Sequence, residues 1–113
     1  MEPRLVTSVL VTSLMRRAES SGGFAAVLSK GDPTAGAVLV ILNEKGRKAR
    51  VVERALQPGG TYSWADIPTQ STTGEEEFSS YLERRRRFDP DLWLIELDIP
   101  SAERFAAEMN ALD

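Results

Sequence analysis

Pro90 divides residues 84–99, RRRRFDPDLWLIELDI, into two halves that cannot share one kind of backbone order. A proline fixes its own φ and drives the residue before it out of the helical region. A helix arriving through Tyr81, Leu82 and Arg85 therefore has to stop near Phe88. Beyond the Asp89-Pro90 turn the apolar period changes from helical to alternating. Trp93, Ile95, Leu97 and Ile99 fall on one face of a strand, with Leu92, Leu94, Glu96 and Asp98 on the other. The first face needs a helical layer over it. The second turns acidic, so it needs cover only at its start.

The helix before the turn is marked at both ends. Thr73 and Glu76 have the spacing of a capping box, in which each side chain satisfies a free amide. Glu75, Glu76 and Glu77 oppose the positive end of the helix dipole, and Arg84 to Arg87 the negative end. Phe78, Tyr81, Leu82 and Arg85 share one face, which places an arginine on the apolar stripe.

Upstream, Leu10, Val11, Leu14, Met15 and Ala18 recur at helical spacing, so about Ser8 to Ser21 reads as an amphipathic helix. Thr7 or Ser8 can cap it, and Gly22-Gly23 stop it. Phe24 to Lys30 reads as a strand. The link GDPTAG (31–36) reads as a hairpin turn, with Pro33 preset for the first corner. Ala37 to Leu42 is apolar on both faces, as a central, doubly covered strand should be. After a second turn at Asn43 to Gly46, Arg47 to Leu56 forms a third strand, charged enough to suggest a sheet edge. Residues 57–73 read as a mobile loop, with Tyr62-Ser63-Trp64 as a short extra strand. Ser101 caps a last helix whose face carries Ala102, Phe105, Ala106, Met109 and Leu112. The expected fold is α+β. It is a single domain over residues 1–113, of order α-β-β-β-(β)-α-β-α, with an antiparallel meander sheet and helices packed on it.

Composition narrows the chemistry. The chain has neither cysteine nor histidine, which removes thiolates, disulfides, the commonest general base and the commonest transition-metal ligand. A net charge of −3 disfavours a dedicated nucleic-acid binder. Leu5 to Met15 resembles a signal core, but basic flanking residues precede it poorly and Arg16-Arg17 follow where a cleavage site should lie. No apolar run approaches the length of a membrane span. The expected location is cytoplasmic, with no membrane partner.

Two stretches, KGDPTAGAVLV (30–40) and RRFDPDLWLIE (86–96), together with the helix end LMRRAESSGGFA, resemble an uncharacterised bacterial family, domain of unknown function 1491. The resemblance spans most of the chain outside residues 57–73. It implies a small single-domain protein and carries no activity, cofactor or site residue with it.

Four residues stand out as binding candidates: Asp32, Trp64, Arg85 and Asp91. The element order is also that of PD-(D/E)xK nucleases, which need an acid on the second strand and Glu-x-Lys on the third to hold a divalent metal. Asp32 precedes the second strand, and Glu53 is followed by Arg54-Ala55 without a lysine, so neither a metal site nor a cofactor is expected. Asp91 with Glu96-x-Asp98 fits no better, because an acid stands in the lysine's place. Asp32 in the GDP turn could cradle an anion through loop amides, or simply make the turn. Trp64 is either an exposed anchor for a partner or core closure. Arg85, if buried, needs a carboxylate. Asp89 and Asp91 are nearest and Glu96 is within reach, although a stem that packs while the head reaches solvent is favoured.

The expectation for function is an uncharacterised small soluble protein, not an enzyme, acting as an interaction or self-association module. The alternatives are a carboxylate-based, metal-dependent nuclease-like or phosphate-processing enzyme and a nucleic-acid binder through Arg84–Arg87. A homodimer is expected on counting faces. The first two helices are assigned to one face, leaving the last helix or a second subunit to close the other.

Overall fold

The structure, a computed structural model, describes residues 6–56, 58–67 and 74–112. Its elements are α1 (Thr7–Ser20), β1 (Phe24–Ser29), β2 (Val38–Glu44), β3 (Arg47–Leu56), β4 (Tyr62–Asp66), α2 (Glu75–Phe88), β5 (Trp93–Asp98) and α3 (Ala102–Leu112). The order is the one the sequence patterns imply, and the short extra strand is β4. α2 stops where Pro90 requires, with Asp89 extended at φ −135° and ψ 85°. The Cα radius of gyration of 13.5 Å matches one compact domain of this length, about 13 Å.

The sheet is mixed, which corrects the expected antiparallel meander. Its strand order is β1-β5-β2-β3-β4. β5 runs antiparallel to β1 but parallel to β2, with Val40 beside Ile95. Only β2-β3-β4 form a meander. A parallel neighbour needs a long crossover connection, and the segment carrying α2 supplies one between β4 and β5. β5 is thereby inserted between β1 and β2, where its own apolar residues are buried on both faces.

β3 is also internal rather than at an edge, because β4 pairs along its outer side, and several of its charges find partners. The Arg50 guanidinium reaches Asp66 on β4 at 3.0 and 2.9 Å, a pair that holds the arginine above its ordinary pKa. A bulge at Ala49 follows Lys48, whose ammonium lies 3.8 Å from the centre of the Phe78 ring on α2. Arg54 lies over the Tyr62 ring at 4.3 Å.

The two apolar layers divide the helices differently from the face count. α1 and α3 share one face, where Leu10, Leu14, Phe105 and Met109 pack with Val40, Leu42, Ile95 and Leu97. Arg17 and Glu108 join these two helices at 3.2 Å. α2 covers the other face, where Phe78, Tyr81 and Leu82 pack with Leu39, Ile41, Val51 and Leu94. On that face Glu96 and Asp98 lie beyond the apolar cluster, as the sequence of β5 implies.

The helix ends differ in detail. Val6 is the N-cap of α1, and Thr7 is buried inside the helix with its hydroxyl turned to the Thr34 and Gly36 carbonyls. Gly74 is the N-cap of α2, and the expected capping residue Thr73 lies outside the described residues. Gly22, at φ 91°, provides the left-handed stop after α1. Ser101 caps α3 through the Arg104 amide at 3.2 Å. The Ala102 amide donates to Glu44 at 2.6 Å. Residues 57 and 68–73 of the segment expected to be a mobile loop lie outside the described residues. Among the described residues no helix is long and apolar enough to cross a membrane.

Candidate functional site

Asp32 and Asp91 meet through the backbone. The turns around them are organised by the side chains of Asp32 and Asp89. Asp32 Oδ2 accepts from the Thr34 and Ala35 amides at 3.1 and 2.8 Å, and Asp89 Oδ1 accepts from the Asp91 amide at 3.1 Å. The Asp32 amide then donates to the Asp91 carbonyl at 3.0 Å. The Trp93 indole donates to the Asp32 carbonyl at 2.7 Å. The start of α1 is tied in as well, with the Thr7 and Ser8 amides donating to Thr34 and Pro33 carbonyls. The loop amides that an anion would need are therefore largely occupied by the protein itself. Trp93→Phe is expected to lower stability by about 1–2 kcal/mol through the lost indole bond, read from the midpoint of urea unfolding.

Arg85 is positioned by α2 over the opposite face of the sheet. Its guanidinium grips both carboxylate oxygens of Glu53 on β3, at 2.8 and 2.6 Å. It also donates to the Tyr81 hydroxyl at 2.9 Å. The partner is thus neither Asp89, Asp91 nor Glu96 but an acid 32 residues earlier in the chain. The reason is geometric. One helical face carries Phe78, Tyr81, Leu82 and Arg85 onto the sheet, and β3 presents Glu53 beneath it. About a quarter of each side chain stays exposed. The two-bond pairing, with the tyrosine behind it, pushes the arginine pKa further above its ordinary value. The neighbouring Arg84, Arg86 and Arg87 are exposed.

Trp64 closes the core. It is 7% exposed, lies among the α1/α3-face residues, and its backbone amide donates to Asn110 on α3 at 2.9 Å. Asp32 and Asp91 are therefore together, while Arg85 and Trp64 lie on opposite faces of the sheet. The four candidates do not form one site. Of the acids weighed for a metal, Asp32 is committed to loop amides and Glu53 to Arg85. Among the described residues no group of three or more acids is placed to hold a metal ion.

Two surface features escaped the residue-by-residue reading. One is an open cleft of about 400 Å³ beside Thr7, Gly36, Arg54 and Tyr62, built from elements distant in sequence. The other is the β1 edge. β1 reads FAAVLS, without a charge, and its Phe24, Val27 and Leu28 are 76, 41 and 46% exposed. It ends the sheet, and among the described residues no strand lies beyond it. At the far edge, by contrast, Asn110 takes the Trp64 amide and Asp66 is engaged by Arg50. The signal for β1 was present in its lack of charge, but only the strand order shows that it is an edge.

The model of the family described as protein of unknown function (DUF1491) matches residues 5–107. Solved structures of similar proteins agree. A crystal structure of a DUF1491 family protein from Caulobacter crescentus is 39% identical, covers 90% of this chain and 94% of its own, and has a TM-score of 0.76. An NMR structure of a DUF1491 family protein from the same organism is 38% identical over 93% of this chain and 94% of its own, with a TM-score of 0.75. A solution structure of a protein from A. tumefaciens is 29% identical over 92% of this chain and 93% of its own, with a TM-score of 0.70. No curated protein matches the chain.

Proposed function

We propose that this chain, which belongs to the DUF1491 family of proteins of unknown function, is a non-catalytic protein–protein interaction or self-association module of the cytoplasm. The observation that carries this reading is the β1 edge, uncharged and exposed at Phe24 and from Ala26 to Leu28. Proteins ordinarily blunt such an edge with charge, proline or a covering element, because its unpaired amides and carbonyls accept a further strand. Here the bulge at Leu28 is the one such device on β1, and it leaves Phe24 to Val27 in regular register with β5. The absence of histidine and cysteine, and the engagement of Asp32 and Glu53 in structural bonds, support a role without catalysis.

The test compares the immobilised chain with its Ala26→Lys variant as bait for cytoplasmic extract and for purified chain. Ala26 is exposed on β1, so the lysine charges the edge without entering the core. The wild type is expected to retain a protein, either its own kind or another, that the variant releases. If both baits retain the same proteins, or neither retains any, the reading fails.

A further inference from the structure

We infer that the occupant of the β1 edge is a second copy of this chain, laid antiparallel to β1 about a twofold axis so that two five-stranded sheets join into one. This deepens the reading above and rests on it. The axis of such a pair stands perpendicular to the sheet, so directly opposed residues must belong to the same face. A residue therefore has to lie on the axis, opposed to itself.

Ala26 fits that position. It is exposed, lies midway between Phe24 and Leu28, and its methyl group is small enough to sit against its own copy. With the axis there, Ala25 of each copy opposes Val27 of the other. Phe24, 76% exposed, comes beside the bulge that carries Leu28, 46% exposed, where the regular ladder ends. Large side chains thus meet small or complementary ones, and the most exposed apolar group on the strand gains a neighbour. Cross-strand apolar pairs of this kind are the unit of sheet stabilisation.

Charge favours the same arrangement. Lys30 follows β1 at one end, and Asp98 is the β5 partner of Phe24 at the other. Antiparallel pairing brings the Lys30 end of each copy toward the Asp98 end of its mate, twice in the dimer. A parallel arrangement would instead stack like ends. A foreign peptide could use the same backbone groups, but nothing would require it to match this order of size and charge.

The chain's lack of cysteine allows a direct test. Strands opposed at Ala26 would hold the two Cα atoms about 4.5–5.5 Å apart, within the span of a disulfide. Ala26→Cys is expected to form a covalent dimer under mild oxidation. Thr12→Cys, on the exposed surface of α1, is expected to remain monomeric under the same conditions. Sedimentation equilibrium of the unmodified chain should show a dimer in the micromolar range. Ala26→Lys, which opposes two like charges on the axis, should raise its dissociation constant at least about tenfold with the thermal midpoint of the monomer unchanged. A dimer that Ala26→Lys leaves intact, or that Ala26→Cys fails to trap, overturns the inference. So does a monomer at every concentration. If that monomer still retains another protein through β1, only the second copy is wrong. If it retains none, the interaction reading fails with it.

Discussion

Gly31→Ala and Gly36→Ala are each expected to destabilise the domain by about 3 kcal/mol or more, a severe loss for a single methyl group. A Cβ at Gly31 would stand 2.1 Å from the Asp91 carbonyl oxygen and 2.7 Å from Cδ1 of the Trp93 ring. One at Gly36 would stand 2.2 Å from the same oxygen. The two glycines therefore flank one carbonyl, and that carbonyl cannot retreat cheaply, because it accepts the Asp32 amide at 3.0 Å. Relief would have to come from moving the loop off the start of β5, which would break the Trp93–Asp32 bond and expose the end of the core. Gly59, with open space around the added atom, is the matching control and should change little on substitution by alanine. Urea unfolding of the three variants separates the outcomes. Midpoints for Gly31→Ala and Gly36→Ala that stay with the Gly59→Ala control would show that the loop yields easily.

The same loop explains how far the sequence could be read. Local order was legible: the helix stop before Pro90, the double burial of β2 and the half-acidic face of β5 follow from period and residue type alone. Strand neighbours were not. The six residues between Lys30 and Ala37 look like a hairpin, and β1 and β2 do run antiparallel, yet β5 lies between them. A link across one vacant strand position must span about 10 Å instead of about 5 Å, and six residues reach either distance. The glycines that looked like turn formers are there because the link passes over the first residues of β5. A non-local backbone contact of that kind leaves no trace in periodicity. β3 misled for a related reason. Its charges suggested an edge, but Lys48, Arg50 and Glu53 are engaged by partners distant in sequence, Phe78, Asp66 and Arg85. Of the candidate residues, Asp32 and Asp91 are placed by the turns their neighbours encode. The partner of Arg85 depended on which strand lies under α2, which follows from strand order rather than from the helix itself.

Arg85→Met is expected to cost about 2 kcal/mol, and more than Glu53→Leu, although both remove the same ion pair. The difference lies in what each substitution leaves behind. Without the arginine, the Glu53 carboxylate stays on a strand beneath α2, next to the apolar cluster of Leu39, Ile41 and Val51, and β3 cannot swing it into water. Without the glutamate, the arginine keeps its bond to Tyr81 or extends its long stem to solvent at the helix surface. A fully buried pair would lose 3–5 kcal/mol on losing one partner. The figure here is smaller because about a quarter of each side chain is exposed and water screens part of the charge. The double variant Arg85→Met/Glu53→Leu replaces both groups with apolar ones of similar length. It should recover most of the stability lost by Arg85→Met, giving a coupling of about 1–2 kcal/mol between the two sites. Urea unfolding of the four proteins closes the cycle. Strictly additive single effects would mean that the pair holds α2 on the sheet no more firmly than an ordinary surface contact.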